Sequence, residues 1–168
     1  MKPKFSENLL LDKVDVAILS ALQENALATH QQLGEKIHLS TSQISRRIQR
    51  LQSNGVIRKY VTLLDAVKLG LGVRSFTYVS LSRHGGNEGA SFERDVAGIP
   101  QVLACHSIAG DADYLLEIVA LNLQELSESV FKKLTRLSGV HSIRSSIVLE
   151  TVKSTTALPV VAVQTGDS

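Results

Sequence analysis

One cysteine, Cys105, is present in 168 residues, so an internal disulfide framework is excluded, and its place in an apolar, strand-like run predicts buried packing for it. No apolar run of signal-peptide length follows Met1-Lys2-Pro3-Lys4, and the longest late run, Leu158 to Val163, is too short to span a bilayer. Membrane association is therefore not expected, and the expected location is the cytoplasm. The five histidines (His30, His38, His84, His106, His141) show no i, i+4 pairing, and a lone cysteine cannot form a Cys-x-x-Cys, so neither a metal site nor a cofactor is expected. Cys105 and His106 are adjacent, but neighbours on a strand point to opposite faces and cannot act as nucleophile and base by adjacency. Repeats and low-complexity tracts are also missing. What remains, 43% apolar and 20% charged residues, is the composition of an ordinary globular protein.

Acidic residues are absent from one stretch in particular. Between Lys36 and Tyr60 stand Lys36, Arg46, Arg47, Arg50, Arg58 and Lys59 without a single Asp or Glu, although the whole chain is only +2. Residues 1–60 carry a net +4 and residues 61–168 a net −2. A polyanion is drawn to the first part and not to the second.

The same stretch holds two short helices with their starts written out. Thr29 with Gln32, and Ser40 with Gln43, are Ser/Thr-x-x-Gln capping boxes. Leu33 and Ile37 lie on one side of the first helix, and Ile44, Ile48 and Leu51 form an i, i+4, i+7 stripe on the second. Asn54-Gly55 closes the second helix as a left-handed cap does. His38, Leu39 and Ser40 leave a connection of helix-turn-helix length. A preceding helix is predicted from Asp12 as cap, with Val14, Ile18 and Leu22 inward. Ser42, Gln43 and Arg46 then face base edges, where Arg suits guanine and Gln adenine, among the outward residues Thr41, Ser42, Gln43, Ser45, Arg46, Arg47 and Arg50. Arg47, Arg50 and Lys59 are assigned to phosphates, the alternative for Arg47 and Arg50 being ion pairs with carboxylates of the same chain. The expected partner is double-stranded DNA.

After Gly55, a β-branched stretch to Leu64 predicts a strand or extended connector, and Lys68 to Gly72 a hinge. Beyond it the signals alternate. Val73–Ser82 reads as a strand broken by Gly85-Gly86, Ala90–Ala97 as a helix, Val102–Ala109 and Tyr114–Leu121 as a hairpin turning at Gly110-Asp111-Ala112-Asp113. A helix capped by Asn122 follows, with Leu123, Leu126, Val130, Leu134 and Leu137 buried, and then a last strand over His141–Lys153. The order βαββαβ predicts an α+β protein in which a ferredoxin-like antiparallel sheet carries both helices on one face. A second copy of the chain is the simplest cover for the other face. The expected organisation is a flexible start (1–8), a helix-turn-helix domain (9–60), a linker strand and hinge (61–72), an effector-binding and oligomerisation domain (73–159) and a tail (160–168). The Gly110 turn offers backbone N–H groups to a ligand carboxylate, and Asp111 or Asp113 a charge to its ammonium.

Leu11-Asp12-Lys13-Val14-Asp15, the run Leu39 to Leu51 with Gly55-Val56-Ile57, the turn Gly110 to Leu116, and Ser145 to Leu158 resemble, in order, the leucine-responsive/asparagine-regulator (Lrp/AsnC, feast/famine) family of transcription factors. The resemblance implies a DNA-binding regulator, not an enzyme, with a C-terminal domain responsive to an amino acid, and dimers assembling further, often to octamers. It also implies an effector site between dimers at Gly110, Asp111, Asp113 and Tyr114, with Ser145 and Ser146 in the last strand. Two departures stand out: Gly34 where the family usually has Ala, and His38 in place of a turn glycine. Two alternatives remain open, a haem-precursor decarboxylase of the same architecture and a DNA-organising protein without an effector.

Overall fold

Three capped helices open the fold in the computed structural model, which describes residues 10–82 and 88–161. Asp12 caps α1 (Lys13–Glu24), Thr29 caps α2 (His30–Ile37) and Ser40 caps α3 (Thr41–Ser53). Each cap is a reciprocal box in which the residue three positions on, Asp15, Gln32 or Gln43, returns a hydrogen bond to the cap N–H. The free amides of each first turn are thus partly satisfied before any tertiary contact forms.

Ile18, Leu19, Ala21, Leu33, Ile44, Ile48 and Leu51 make the core of this unit. The α3 stripe is the one read from the sequence. In α1 the fully buried positions begin at Asp15 and include Ile18, while Val14 and Leu22, expected inward, stand at the margin, half-buried. Gly55, at φ 72°, closes α3 as expected, and the N–H groups of Val56 and Ile57 donate to Leu51 at 2.9 and 3.1 Å.

The turn between α2 and α3 is the tight place. His38 takes the left-handed conformation (φ 60°, ψ 45°), and its N–H and that of Leu39 both donate to the Gly34 carbonyl. A Cβ on Gly34 would stand 2.5 Å from the Leu39 carbonyl oxygen. Close backbone packing therefore accounts for this glycine.

The second unit is a four-stranded antiparallel sheet of order β2-β3-β1-β4, built from β1 (Val73–Leu81), β2 (Val102–Ser107), β3 (Tyr114–Ala120) and β4 (Val140–Ile147). Helix α4 (Glu88–Val96) follows β1. Helix α5 begins as Leu123–Glu125, passes through π-helical turns at Leu126–Phe131 and ends as Lys132–Arg136. Both helices cover one face, where Val79, Phe92, Val96, Leu116, Ile118, Leu126, Val130 and Leu134 form the core. This is the ferredoxin-like arrangement expected from the order of elements. On the other face Arg74 meets Glu117 at 3.5 Å, the Arg144 guanidinium lies 5.6 Å from the centre of the Tyr78 ring, and Phe76 is exposed.

Of the two readings of the stretch after Gly55, strand or connector, the connector holds: residues 58–65 form no regular strand, and Val61, Leu63 and Leu64 are exposed with no strand beside them among the described residues. Three other expectations change. Leu123 is 59% exposed, since the widened turns that follow it shift the phase of the buried face. The last strand stops at Ile147, with one further bond from the Val148 N–H to the Arg74 carbonyl. The chain from Lys153 groups with the helical unit, which otherwise ends at Thr62, and not with the sheet, because Val160 packs on the helical core. The Gly85-Gly86 break, His84 and residues 1–8 lie outside the described residues, as does the tail beyond Val161.

Gly34→Ala tests the tight turn. Helix propensity alone favours Ala by about 1 kcal/mol, but overpacking against backbone costs about 1–3 kcal/mol. The expected outcome in thermal unfolding is a lower melting temperature, whereas a higher one would show that the turn yields freely.

Candidate nucleic-acid interface

Helix α3 presents Thr41, Ser42, Gln43 and Arg46 to solvent, with Ser45 half-buried. Its apolar underside is held by the core, so the outer face is rigidly displayed. Gln43 is less free than its position suggests, because its Oε1 accepts from both the Ser40 N–H and the Ser40 hydroxyl, each at 3.0 Å. Only the amide nitrogen is left for a base edge. Ser42 and Ser40 share a hydroxyl contact of 3.1 Å.

The arginines divide into two kinds. Arg47 donates to Asp12 at 2.7 Å and to Asp15 at 2.8 Å, and Arg50 donates to the other oxygen of Asp15. The Asp15 side chain is 0% exposed, that of Arg47 29% and that of Arg50 44%. This is the pairing with carboxylates named above as the alternative. Arg47 is accordingly a tie between α3 and α1, and the assignment of Arg47 and Arg50 as simple phosphate anchors is revised. A guanidinium suits this use because its planar fork can serve two carboxylates at once. Among the described residues Arg46, Arg58 and Lys59 make no salt bridge. Lys36 pairs with Glu24 at 2.8 Å on the exposed surface.

Charge and hydrogen bonding reinforce each other in this cluster. Burial works to raise the Asp12 pKa, but the Asp15 backbone N–H and the Arg47 guanidinium outweigh it and hold the carboxyl below its ordinary value. The stabilisation it contributes is present above the ordinary carboxylate range and is lost as pH falls through the lowered value. Arg47 is shifted upward by its bonds to Asp12 and then Asp15. Leu39, Gln43, Arg46, Arg47 and Arg50 line a shallow groove of about 310 Å³ along this face.

The residues assigned to an effector fall in several places. Gly110, at φ 144°, and Asp111 are exposed on the β2–β3 loop. The Asp113 carboxylate accepts the Leu81 N–H at 2.7 Å, which gives it a structural use at the end of β1. Tyr114 is buried, its ring tilted at 42° to that of Phe92 with centres 4.7 Å apart, and its hydroxyl donates to Glu93 at 2.9 Å. Burial, with the Glu93 carboxylate second, pushes the phenol up to about 12. Tyr114 is thus a core residue, with its hydroxyl already engaged by Glu93. Ser145 lies opposite Thr77 on β1 and shares a hydroxyl hydrogen bond with it, while Ser146 is exposed beside Phe76. Since Tyr114 is level with Val79, these serines stand two strands over and further along the sheet. One chain does not bring loop and serines together.

Cys105 pairs with Leu116 and His106 with Leu115, so the two side chains point to opposite faces of the sheet. Cys105 is exposed, so the buried packing expected from its apolar run is not found, because β2 is an edge strand; partial burial of the sulfur and then the nearby Glu93 carboxylate raise its pKa, which makes the thiol less nucleophilic. Among the described residues no group of three or more His, Cys, Asp or Glu is placed to hold a metal ion, and no helix is long and apolar enough to cross a membrane.

Comparison with known proteins agrees with both halves. Residues 11–52 match the AsnC-type helix-turn-helix domain, and residues 74–158 the Lrp/AsnC ligand binding domain. The chain is 34% identical over 152 residues to the transcriptional regulator AzlB of Bacillus subtilis, covering 90% of this chain and 97% of that protein. It is 36% identical over 149 residues to the glutamate uptake regulatory protein of Zymomonas mobilis, covering 89% and 90%. The crystal structure of transcriptional regulator NMB0573 from Neisseria meningitidis, solved with L-methionine, superposes with a TM-score of 0.85 at 37% identity, covering 89% of this chain and 96% of that one.

Asp15→Ala should lower the stability of the helical unit by about 3 kcal/mol, as removal of one partner from a buried ion cluster does. Denaturant unfolding followed by circular dichroism measures it, and a loss below about 0.5 kcal/mol, typical of a surface site, would show that the cluster is incidental.

Proposed function

This chain belongs to the Lrp/AsnC family of transcriptional regulators, and from that premise we propose that it reads a specific duplex DNA site through α3 and answers to a small amino acid. The observation that carries the DNA-reading part is Arg46, a cation without a salt bridge among the described residues, on the exposed face of a helix that is capped at its start and tied at Arg47 and Arg50. Arg46 donates to a guanine edge in the major groove. Ser42, Ser45 and the amide nitrogen of Gln43 make the neighbouring base contacts. Thr41, at the helix N-terminus, offers its hydroxyl and backbone N–H to a phosphate. Lys59 anchors the backbone beyond the helix, and Arg50, tied to Asp15 alone, keeps N–H groups for a second phosphate.

Two copies of the chain make the working unit, joined through the sheet face opposite the helices, and the dimers assemble further, to an octamer. Exposed Phe76 on that face, beside Tyr78, supports the pairing. The solved regulator with L-methionine supports an amino-acid effector by likeness. In this chain the exposed Gly110-Asp111 loop is its place, with Asp111 answering the ammonium group and a neighbouring copy completing the site. The protein acts in the cytoplasm.

Two measurements test this reading. In binding titrations, Arg46→Ala should cost about 1–3 kcal/mol on the preferred site and relax its sequence preference. Asp12→Asn keeps a good helix cap but removes a charge that competes for Arg47, so it should raise affinity for all sequences alike. Equal losses on preferred and random DNA for Arg46→Ala would reject base reading. Calorimetry with a panel of L-amino acids, methionine included, is expected to give heats that Asp111→Ala abolishes. Equal heats from the two proteins would remove Asp111 from the site.

A further inference from the structure

The end of the chain carries a feature that neither DNA reading nor effector binding uses. Gln23, in the last turn of α1, donates from Nε2 to the Leu158 carbonyl at 3.0 Å and accepts the Leu158 N–H on Oε1 at 2.6 Å. A primary amide side chain has the same donor and acceptor as a peptide unit. Gln23 therefore pairs with one extended residue in the way a neighbouring strand does.

The residues around Leu158 are suited to that use. Pro159 sterically bars the preceding residue from the helical region, so Leu158 is held extended with both backbone groups presented. One residue further on, Val160 packs on the core formed by Ile18, Leu33, Ile44 and their neighbours. The backbone pairing is tolerant of sequence, whereas the valine position supplies the preference. Leu158 itself is 73% exposed, so its side chain is not what binds.

We propose that the segment from Lys153 to Val161 is a strap, docked on a built site at the end of α1, that gives the DNA-binding unit a second tether to the sheet domain. The chain leaves the helical unit after Thr62 and returns to it at Lys153. With the strap docked, the DNA-binding unit is held by two connections, and with it released, by one. The contact is two exposed hydrogen bonds and one side chain, a weak enough set to open without unfolding the core. Because the strap follows β4, it also gives that strand a covalent route to the reading helices, a consequence that rests on the effector reading above.

Hydrogen exchange on the full-length protein, without DNA or effector, tests the docking. The Leu158 amide is expected to exchange more slowly than in a free peptide, on the order of tenfold. Gln23→Ala should abolish that protection and Val160→Ser should reduce it. Gln23→Glu, which keeps the acceptor for the Leu158 N–H, should retain most of it. A Leu158 amide that exchanges at the free-peptide rate in the unaltered chain, or protection unchanged by Gln23→Ala, would overturn the strap. Neither result bears on DNA binding, and a protein that ignores DNA would leave the strap standing.

Discussion

A single carboxylate, that of Asp15, holds the DNA-binding unit to one geometry. It is fully buried, and three groups answer it: the Asp12 N–H, Arg47 and Arg50. An unpaired carboxylate in that position would face a desolvation cost of several kcal/mol. Any rotation of α3 that carried the two arginines away would incur it, so the cluster penalises every packing of α1 against α3 but one. The hydrophobic contacts of Ile18 with Ile44 and Ile48 do not discriminate so sharply, because apolar attraction is non-directional. The core supplies cohesion, and the ion cluster supplies orientation. A reading helix needs both, since a base edge accepts hydrogen bonds only within a narrow range of angles.

Cohesion and orientation are divided differently in the sheet domain. There the helix-facing core is apolar apart from Ser75, the Thr77–Ser145 hydroxyl pair and the Tyr114–Glu93 hydrogen bond, and the charged side chains of the strands lie on the opposite face. Arg74 and Glu117 on neighbouring strands, and Arg144 over Tyr78, neutralise or cover charge on a surface that also carries Phe76. Directional polar contacts thus lie beside an exposed aromatic ring on this face, whereas in the helical unit they lie beneath the displayed helix.

The legible parts of this chain are those encoded by residues a few positions apart. A capping box spans four residues, so all three helix starts in the first unit could be read, and the α3 stripe with its Gly55 stop likewise. The βαββαβ order followed from where periodicity changes and where Gly or Pro interrupts. What could not be read depends on distant partners. Arg47 and Arg50 look like free cations in α3 because their carboxylates lie more than thirty residues earlier, on another helix. Tyr114 belongs to a family-like turn, yet its burial is set by Phe92 and Glu93 on α4. Leu123 fits the apolar stripe at ideal period, and only the π-helical turns put it out of phase. The pairing of Gln23 with Leu158, 135 residues apart, has no local signature at all, although Pro159 marks where an extended backbone would be presented.

The division among the arginines changes what the basic stretch can contribute electrostatically. Six cations stand between Lys36 and Tyr60, but Lys36 pairs with Glu24, and Arg47 and Arg50 are tied to α1. Arg46, Arg58 and Lys59 are left without a salt bridge among the described residues. Counterion release scales with phosphates neutralised, at about 0.9 per contact in the logarithmic salt slope, so each cation held by a carboxylate of its own chain makes that slope shallower. Discrimination is the ratio of specific to non-specific binding, and tying Arg47 to Asp12 and Asp15 works against the second while fixing the α3 geometry on which the first would depend.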